Sequence, residues 1–207
     1  REDAGTAAEI ASGGTLQSVQ AGYIGYGNKG YGPGPGSGTY GAGHGGMGPR
    51  GDGMSYANMQ YDSLEYPCMP GSAGGTGRVD QEGSAGGGVV HLTLAGDLVN
   101  NGTIRADAKV ESLSDGSGSG SGGTVFVSCR TVSGAGSFTA NGGGPESEIW
   151  DQGAGGRIAI HYDPALQPAT GPVRFSAAPG ADVYSVSMGV MGVKADMGTI
   201  WLPDDKL

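Results

Sequence analysis

Short stretches of alternating apolar and polar residues recur along the second half of the chain, each following a glycine. They read VVHLTL after Gly88, TVFVSC after Gly123, RIAIHY after Gly156 and TIWL after Gly198, at spacings of 35, 33 and 42 residues. A period of two predicts β-strands with one buried face. The residues predicted to point inward are Val90, Leu92, Leu94, Val125, Val127, Cys129, Ile158, Ile160, Tyr162, Ile200 and Leu202.

A second, shorter strand is predicted in most copies, with a large apolar residue followed two positions later by alanine. The pairs are Ile104 with Ala106, Phe138 with Ala140, Phe175 with Ala177, and an earlier match of Val19 with Ala21. Because the same order of glycine, strand, turn and strand returns, we predict four stacked repeats.

The repeat predicts an all-β fold, a right-handed parallel β-helix (solenoid) of about four coils. Stacked coils about 4.8 Å apart would pair each backbone group with the coil above and below. The chain is then a single domain, 1–207, with regular coils over 88–202. An antiparallel β-sandwich is the alternative, since regularly spaced short strands also fit it. We prefer the solenoid because a sandwich gives no reason for the repeat to stay in register.

Residues 22–87 form a long insertion rich in glycine that holds seven of the nine tyrosines. Glycine-, serine- and proline-rich tracts often remain disordered because they bury little apolar surface. The interleaved tyrosines, however, offer large amphipathic contact area at low entropic cost. We therefore predict an ordered Gly/Tyr-rich loop packed on one face of the fold.

Composition narrows the class of protein. Glycine makes up 46 of 207 residues, far above the average of roughly 7%, yet 36% of the residues are hydrophobic, enough for a core. No apolar run approaches the roughly 20 residues of a membrane-spanning helix. The net charge of −9, with scattered basic residues, argues against nucleic-acid binding. We expect a soluble, secreted or surface protein without membrane insertion.

Two features bear on cellular context. The chain begins at Arg1 without a methionine or signal peptide, so it is expected to be a processed mature form or an excised fragment. Cys68 and Cys129 are a candidate disulfide, provided that the compartment is oxidising. Two unrelated thiols are the alternative.

The segments GGGVVHLTLAGDLVNNGTIRADA, GSGGTVFVSCRTVSGAGSFTANGGG, GAGGRIAIHYD and MGTIWL resemble the glycine-rich parallel β-helix modules of large secreted and cell-surface proteins. The resemblance covers about 86–202 and extends more weakly to Ser18. It implies a β-helix outside the cell, and it transfers no catalytic residue.

The outward face of the opening strands carries the main candidate site. If the strands stack in register, His91, Phe126, His161 and Trp201 form an aromatic row. Such a row could bind sugar rings, or it could be the surface that the tyrosine-rich loop covers. We favour the covered arrangement because an exposed aromatic row would be an unusually large apolar patch.

Metal and catalytic candidates are weaker. Glu146, Glu148 and Asp151, or Asp204 with Asp205, could hold Ca²⁺ through hard oxygen ligands, but solvated loop charge explains them better. The histidines of the row lie about 10 Å apart if two strands separate them, too far to share a metal. No catalytic residue can be nominated, so we expect neither a cofactor nor enzymatic activity.

The sequence thus predicts a non-enzymatic structural protein of the cell exterior. It would assemble with copies of itself into a head-to-tail filament or fibre, or act as an adhesin-like surface module beside adjacent domains, because nothing in the sequence caps the last strand. The alternative is a carbohydrate-binding or polysaccharide-degrading β-helix that acts through the aromatic row.

Overall fold

The structure, a computed structural model, describes residues 7–49, 59–76, 82–108, 117–144, 152–169, 173–181 and 194–207. These residues contain short β-strands and no α-helix. The strands are β1 (Ala8–Ile10), β2 (Thr15–Gln17), β3 (Gly25–Tyr26), β4 (Glu82–Gly83), β5 (Val89–Thr93), β6 (Leu98–Asn100), β7 (Thr103–Arg105), β8 (Thr124–Ser128), β9 (Val132–Ser133), β10 (Ser137–Thr139), β11 (Arg157–His161), β12 (Arg174–Ser176) and β13 (Thr199–Trp201).

The strands form four sheets. Three are parallel, with the orders β1-β6-β9, β2-β7-β10-β12 and β5-β8-β11-β13, and the fourth is the antiparallel pair β3-β4. In each parallel sheet the neighbours follow chain order, so the earliest strand lies at one edge and the latest at the other.

The predicted repeat determines which residues pair. Val90 lies beside Val125, Val125 beside Ile158 and Ile158 beside Ile200, all in parallel register. The spacing read from the glycines is therefore confirmed at the level of strand pairing. It places like residues side by side, so Val90, Val125 and Ile158 are buried in one row, whereas Ile200 at the edge of the sheet is 43% exposed.

One hydrophobic core is shared by the three parallel sheets. Phe138 and Ile104 are fully buried, and Phe138 stacks on the partly buried Phe175 at 5.3 Å between ring centroids. The remaining fully buried large apolar residues are Leu98, Val125, Val127, Val132, Ile158 and Ile160. Their positions alternate along β8 and β11, as the period of two requires.

A second interior consists mainly of glycine backbone. We call it the glycine core and define it as the buried segments 41–46, 71–76, 84–88, 117–123, 142–144 and 152–156, which lie outside the strands. Segment 117–123 exchanges backbone hydrogen bonds with all five others; for example, Ala42 N–H donates to Ser119 O and Gly122 N–H to Ala154 O, both at 2.9 Å. A strand in a sheet has two neighbours at most, so this packing is not a β-sheet.

Glycine is required there because the backbones lie too close for side chains. A Cβ atom added at Gly153 would lie 1.8 Å from Gly120 O, and one added at Gly45 would lie 1.9 Å from Gly156 O. Buried amides and carbonyls normally need partners, and the exchange of hydrogen bonds between segments supplies them.

The predicted right-handed parallel β-helix of about four coils is wrong. The strands lie in separate sheets, one of three strands, two of four and one short antiparallel pair, and a continuous solenoid is not shown. Several parallel sheets are more familiar from α/β proteins, although the described residues include no helix. The repeat led to this error because it specifies pairing between copies and not how the sheets are joined.

The predicted loop packed on one face is also corrected. The insertion supplies β3, β4 and nearly all of three segments of the glycine core, so much of it is part of the interior, although its residues 61–69 lie over a sheet face. Tyr26, Tyr31 and Tyr66 are all more than half exposed, so tyrosine packing alone does not hold the insertion in place.

The earlier match at Val19 and Ala21 was misplaced. Leu16 on β2 is the residue that pairs with Ile104, which in turn pairs with Phe138. The true partner therefore lies three positions before Val19.

Candidate functional site

The four residues of the predicted aromatic row lie together on the outward face of the β5-β8-β11-β13 sheet. Ring centroids are 4.5 Å apart for His91 and Phe126, 5.2 Å for Phe126 and His161, and 4.4 Å for His161 and Trp201. The rings are thus in continuous contact across the four strands, tilted by 42° at the first two contacts and stacked at the third.

The assumed register was wrong for one member of the row. Phe126 and Trp201 both pair with Ala159, whereas His161 pairs with Ser128 two positions further along the strand. Because Ala159 is small, the ring of His161 occupies the gap between Phe126 and Trp201. Aligning the strands on the glycine that precedes each of them would have shown this offset. Ala159, and not His161, is the third residue after its glycine, which is the place that Phe126 and Trp201 hold in their own strands.

Residues 61–69, which we call the covering segment, lie over the middle of the row. Tyr66 stacks on His161 at 4.7 Å. Three side chains of the sheet donate hydrogen bonds to carbonyl oxygens of the covering segment: His161 Nε2 to Glu65 at 2.8 Å, Arg157 Nε to Tyr61 at 2.8 Å and Thr124 Oγ1 to Met69 at 2.7 Å.

The cover is incomplete. Phe126 in the middle is only 7% exposed, while His91 at one end is exposed and Trp201 at the other is half-buried. Tyr66 itself is 60% exposed. The predicted cover is therefore present over the centre of the row. The aromatic surface beside the centre stays accessible to solvent.

A buried polar cluster fastens the covering segment to the interior, and the pattern of the sequence does not predict it. It consists of His44 from the glycine core, Asp62 from the covering segment and Arg157 from β11. Asp62 accepts backbone hydrogen bonds from Ser63, Cys68 and Met69, each at 2.8 Å. A histidine inside the glycine run GAGHGG was the only available signal, because nothing else there is ionisable.

The electrostatics of the cluster favour an ionised carboxylate. Burial raises the pKa of Asp62, but the nearby His44 and the hydrogen bonds from the three backbone amides outweigh burial and hold the pKa at about 2. Burial lowers the pKa of Arg157, and the charge of Asp62 opposes that effect. Burial also raises the pKa of Tyr61, whose hydroxyl donates to Pro70 O at 2.6 Å.

The candidate disulfide between Cys68 and Cys129 is not formed in the structure. Both thiols are free, Cys68 on the exposed covering segment and Cys129 half-buried against the hydrophobic core. They lie on opposite faces of the sheet, since Cys129 follows the inward positions of β8 and Cys68 belongs to the outer cover. Burial, together with the charge of Asp97, raises the pKa of Cys129 to about 11.

The calcium candidates are only partly described. Glu146, Glu148 and Asp151 lie outside the described residues. Asp204 accepts hydrogen bonds from Tyr162 Oη and from Lys206 N, and these lower its pKa, the bond from Tyr162 most. Within the described ranges, no group of three histidine, cysteine or acidic residues is arranged to hold a metal ion.

Comparisons with known proteins return no matching family model, no similar curated protein and no similar solved structure. The resemblance to glycine-rich surface modules therefore stays a prediction. In the described part of the chain, we find no helix with the length and apolar character needed to cross a bilayer.

Chemically, the arrangement holds two surfaces together and leaves part of an aromatic face open. Asp62 and Arg157 use their polar atoms on neighbouring protein groups, and His44 does so through Nδ1. The exposed groups of the face are the rings of His91 and Tyr66.

Proposed function

We propose that the protein is a non-enzymatic structural module of the cell exterior that associates with copies of itself or with adjacent domains. Association would continue its parallel sheets at their free edges. The glycine-rich, acidic composition supports the exterior location, and the arrangement of the sheets supports association.

The proposal rests on the edge of the β5-β8-β11-β13 sheet that is formed by β13. Among the described residues, β13 pairs on one side only, with β11. Ile200 on this strand is 43% exposed and Met197 just before it is 69% exposed. An apolar edge strand with unpaired backbone groups is a template for another chain, and natural proteins usually protect such edges with charge or bulges.

The opposite edge of the same sheet is formed by β5. Its residues Val89–Thr93 run parallel to β13, because every pairing between them is parallel. If β13 of one copy paired with β5 of a second copy, the sheet would therefore continue without a change of strand direction. Such a head-to-tail contact yields an open filament unless rotation closes a ring.

Sedimentation velocity over a hundredfold range of concentration, with electron microscopy of the same samples, tests the proposal. We expect concentration-dependent assemblies, and we expect Ile200→Lys to abolish them by placing a charge on the edge. The matched control is Leu64→Lys, an exposed leucine on the covering segment that is 49% exposed. Monomers at every concentration, or equal effects of both substitutions, would contradict edge association.

A second candidate function is carbohydrate binding through the open part of the aromatic row. It is favoured by the exposed rings of His91 and Tyr66 on one face, since aromatic faces combine an apolar surface with a polar edge and suit ligands of mixed polarity. Co-sedimentation with insoluble cellulose and chitin tests it. Tyr66→Ala should release the protein from the polymer, whereas Tyr26→Ala, an equally exposed tyrosine on β3, should not.

A further inference from the structure

His44 is enclosed completely by the protein and faces two hydrogen-bond acceptors. Its Nδ1 atom lies 2.8 Å from the carbonyl oxygen of Gly122, and its Nε2 atom lies 3.7 Å from Oδ2 of Asp62. The side chain has no exposed surface, and Nε2 has no partner at hydrogen-bond distance. The imidazole ring also stacks on Tyr61 at 4.5 Å.

Neither neutral form of the ring suits these surroundings. A proton on Nδ1 alone satisfies Gly122 but turns the Nε2 lone pair toward a carboxylate. A proton on Nε2 alone turns the Nδ1 lone pair toward a carbonyl oxygen at 2.8 Å. Only the imidazolium, with both nitrogens as donors, sets a donor against each acceptor.

The other groups around the ring act in opposing directions. Asp62 from the covering segment favours a positive charge, because its carboxylate is held ionised by three backbone amides. Arg157 from β11 and the complete burial of the ring act against a second positive charge. Tyr61 is uncharged, and Gly122 from the glycine core contributes only its carbonyl dipole.

We infer that His44 is a buried imidazolium that locks the covering segment onto the glycine core, and that loss of this contact loosens the segment from the aromatic row. The lock joins residues far apart in the chain, since His44 reaches both Gly122 and Asp62. This device goes beyond the proposed function, and it operates on the cover whether or not a ligand binds the row beneath.

The protonation state is tested directly by NMR of the ¹⁵N-labelled full chain at pH 7.5, at which a free imidazole, with its pKa of about 6.5, is mostly neutral. We expect the His44 ring to show protons on both nitrogens. His91, which is exposed and lies 3.4 Å from Thr93 Oγ1, serves as the internal reference for a solvent-exposed ring. A single ring proton on His44 at that pH would overturn the inference.

The lock is tested by hydrogen exchange of the Cys68 and Met69 amides at one fixed pH. His44→Phe, which keeps the stacked ring, should exchange these amides faster than the wild type, whereas His91→Gln should exchange them at the wild-type rate. Asp62→Asn should also exchange them faster, and it gives a second reading if the phenylalanine variant does not fold. Wild-type exchange rates in both His44→Phe and Asp62→Asn would refute the lock.

Discussion

The imidazole of His161 stacks on the indole of Trp201 at 4.4 Å although the two residues are not partners in the register of the sheet. The register places Trp201 beside Ala159, two positions before His161. The small alanine leaves the space that the histidine ring fills. The continuity of the aromatic row therefore depends on Ala159, although alanine has no ring.

Replacing Ala159 with leucine tests this dependence. Ala159 is fully buried, so the larger side chain should displace His161 and lower the free energy of unfolding by about 1–3 kcal/mol, as overpacking usually does. Urea denaturation measures the change. Ala135→Leu, at an exposed alanine in a turn, is the control and should change the stability by less than about 0.5 kcal/mol.

The glycine core predicts a large effect from a single methyl group. In Gly153→Ala the new Cβ would meet Gly120 O at 1.8 Å. Backbone atoms cannot move aside easily, so we expect a loss of about 3 kcal/mol or more. Thermal unfolding followed by circular dichroism provides the measurement.

The control for that substitution is Gly13→Asn. Gly13 has φ +78° with nothing within 4 Å of an added Cβ, and asparagine tolerates this conformation better than other residues. A stability loss at Gly13 equal to that at Gly153 would show that loss of glycine flexibility, and not close packing, is responsible.

The hydrophobic core should be most sensitive at Phe138. This side chain is fully buried and stacks on Phe175, which is partly exposed. Phe138→Ala should cost about 3–5 kcal/mol, and Phe175→Ala clearly less, as measured by urea denaturation. Equal losses would mean that the two rings are buried to the same extent in solution.

The two thiols should react at very different rates. Native protein treated with Ellman's reagent at pH 8 should release one equivalent of chromophore quickly, from exposed Cys68. Cys129 should react only after unfolding, because its pKa of about 11 leaves little thiolate and the side chain is half-buried. The Cys68→Ser variant should lose the fast phase, and a native protein without reactive thiols would instead indicate a disulfide.

Acid should weaken the attachment of the covering segment. The pKa of Asp62 is held at about 2, below the unfolded value of about 3.9. Its contribution to stability is therefore present above about pH 4 and lost as the pH falls toward about 2. Between these limits the wild type should lose about 1 kcal/mol more than Asp62→Asn, measured by urea unfolding at each pH. Parallel losses in both proteins would exclude this role.

The sequence predicted the pairing of strands well because pairing depends on a period that can be counted. Val125, Ile158 and their partners lie where the glycine spacing placed them. How the sheets are joined could not be read in the same way, since turns and loops of different length separate the copies. The predicted solenoid therefore failed although most of its registers were right.

The candidate site was predicted in part for a similar reason. His91, Phe126 and Trp201 follow the strand period, so their shared face was visible in the sequence. His44 and Asp62 were missed because they belong to segments without periodicity, and their contact at 3.7 Å depends on long-range packing of the insertion. Glycine runs suggested disorder or a surface loop, whereas their backbones make an interior.

That glycine interior bears on the thermal behaviour of the protein. Unfolding exposes apolar groups, which raises the heat capacity, and peptide groups, which lowers it. Here segments such as 117–123 and 152–156 bury mainly amides and carbonyls bonded to each other. The heat capacity of unfolding per residue should thus fall below the usual 12–15 cal/mol/K or so. A flatter stability curve follows, so cooling toward freezing would weaken this protein less than one held together by hydrocarbon alone.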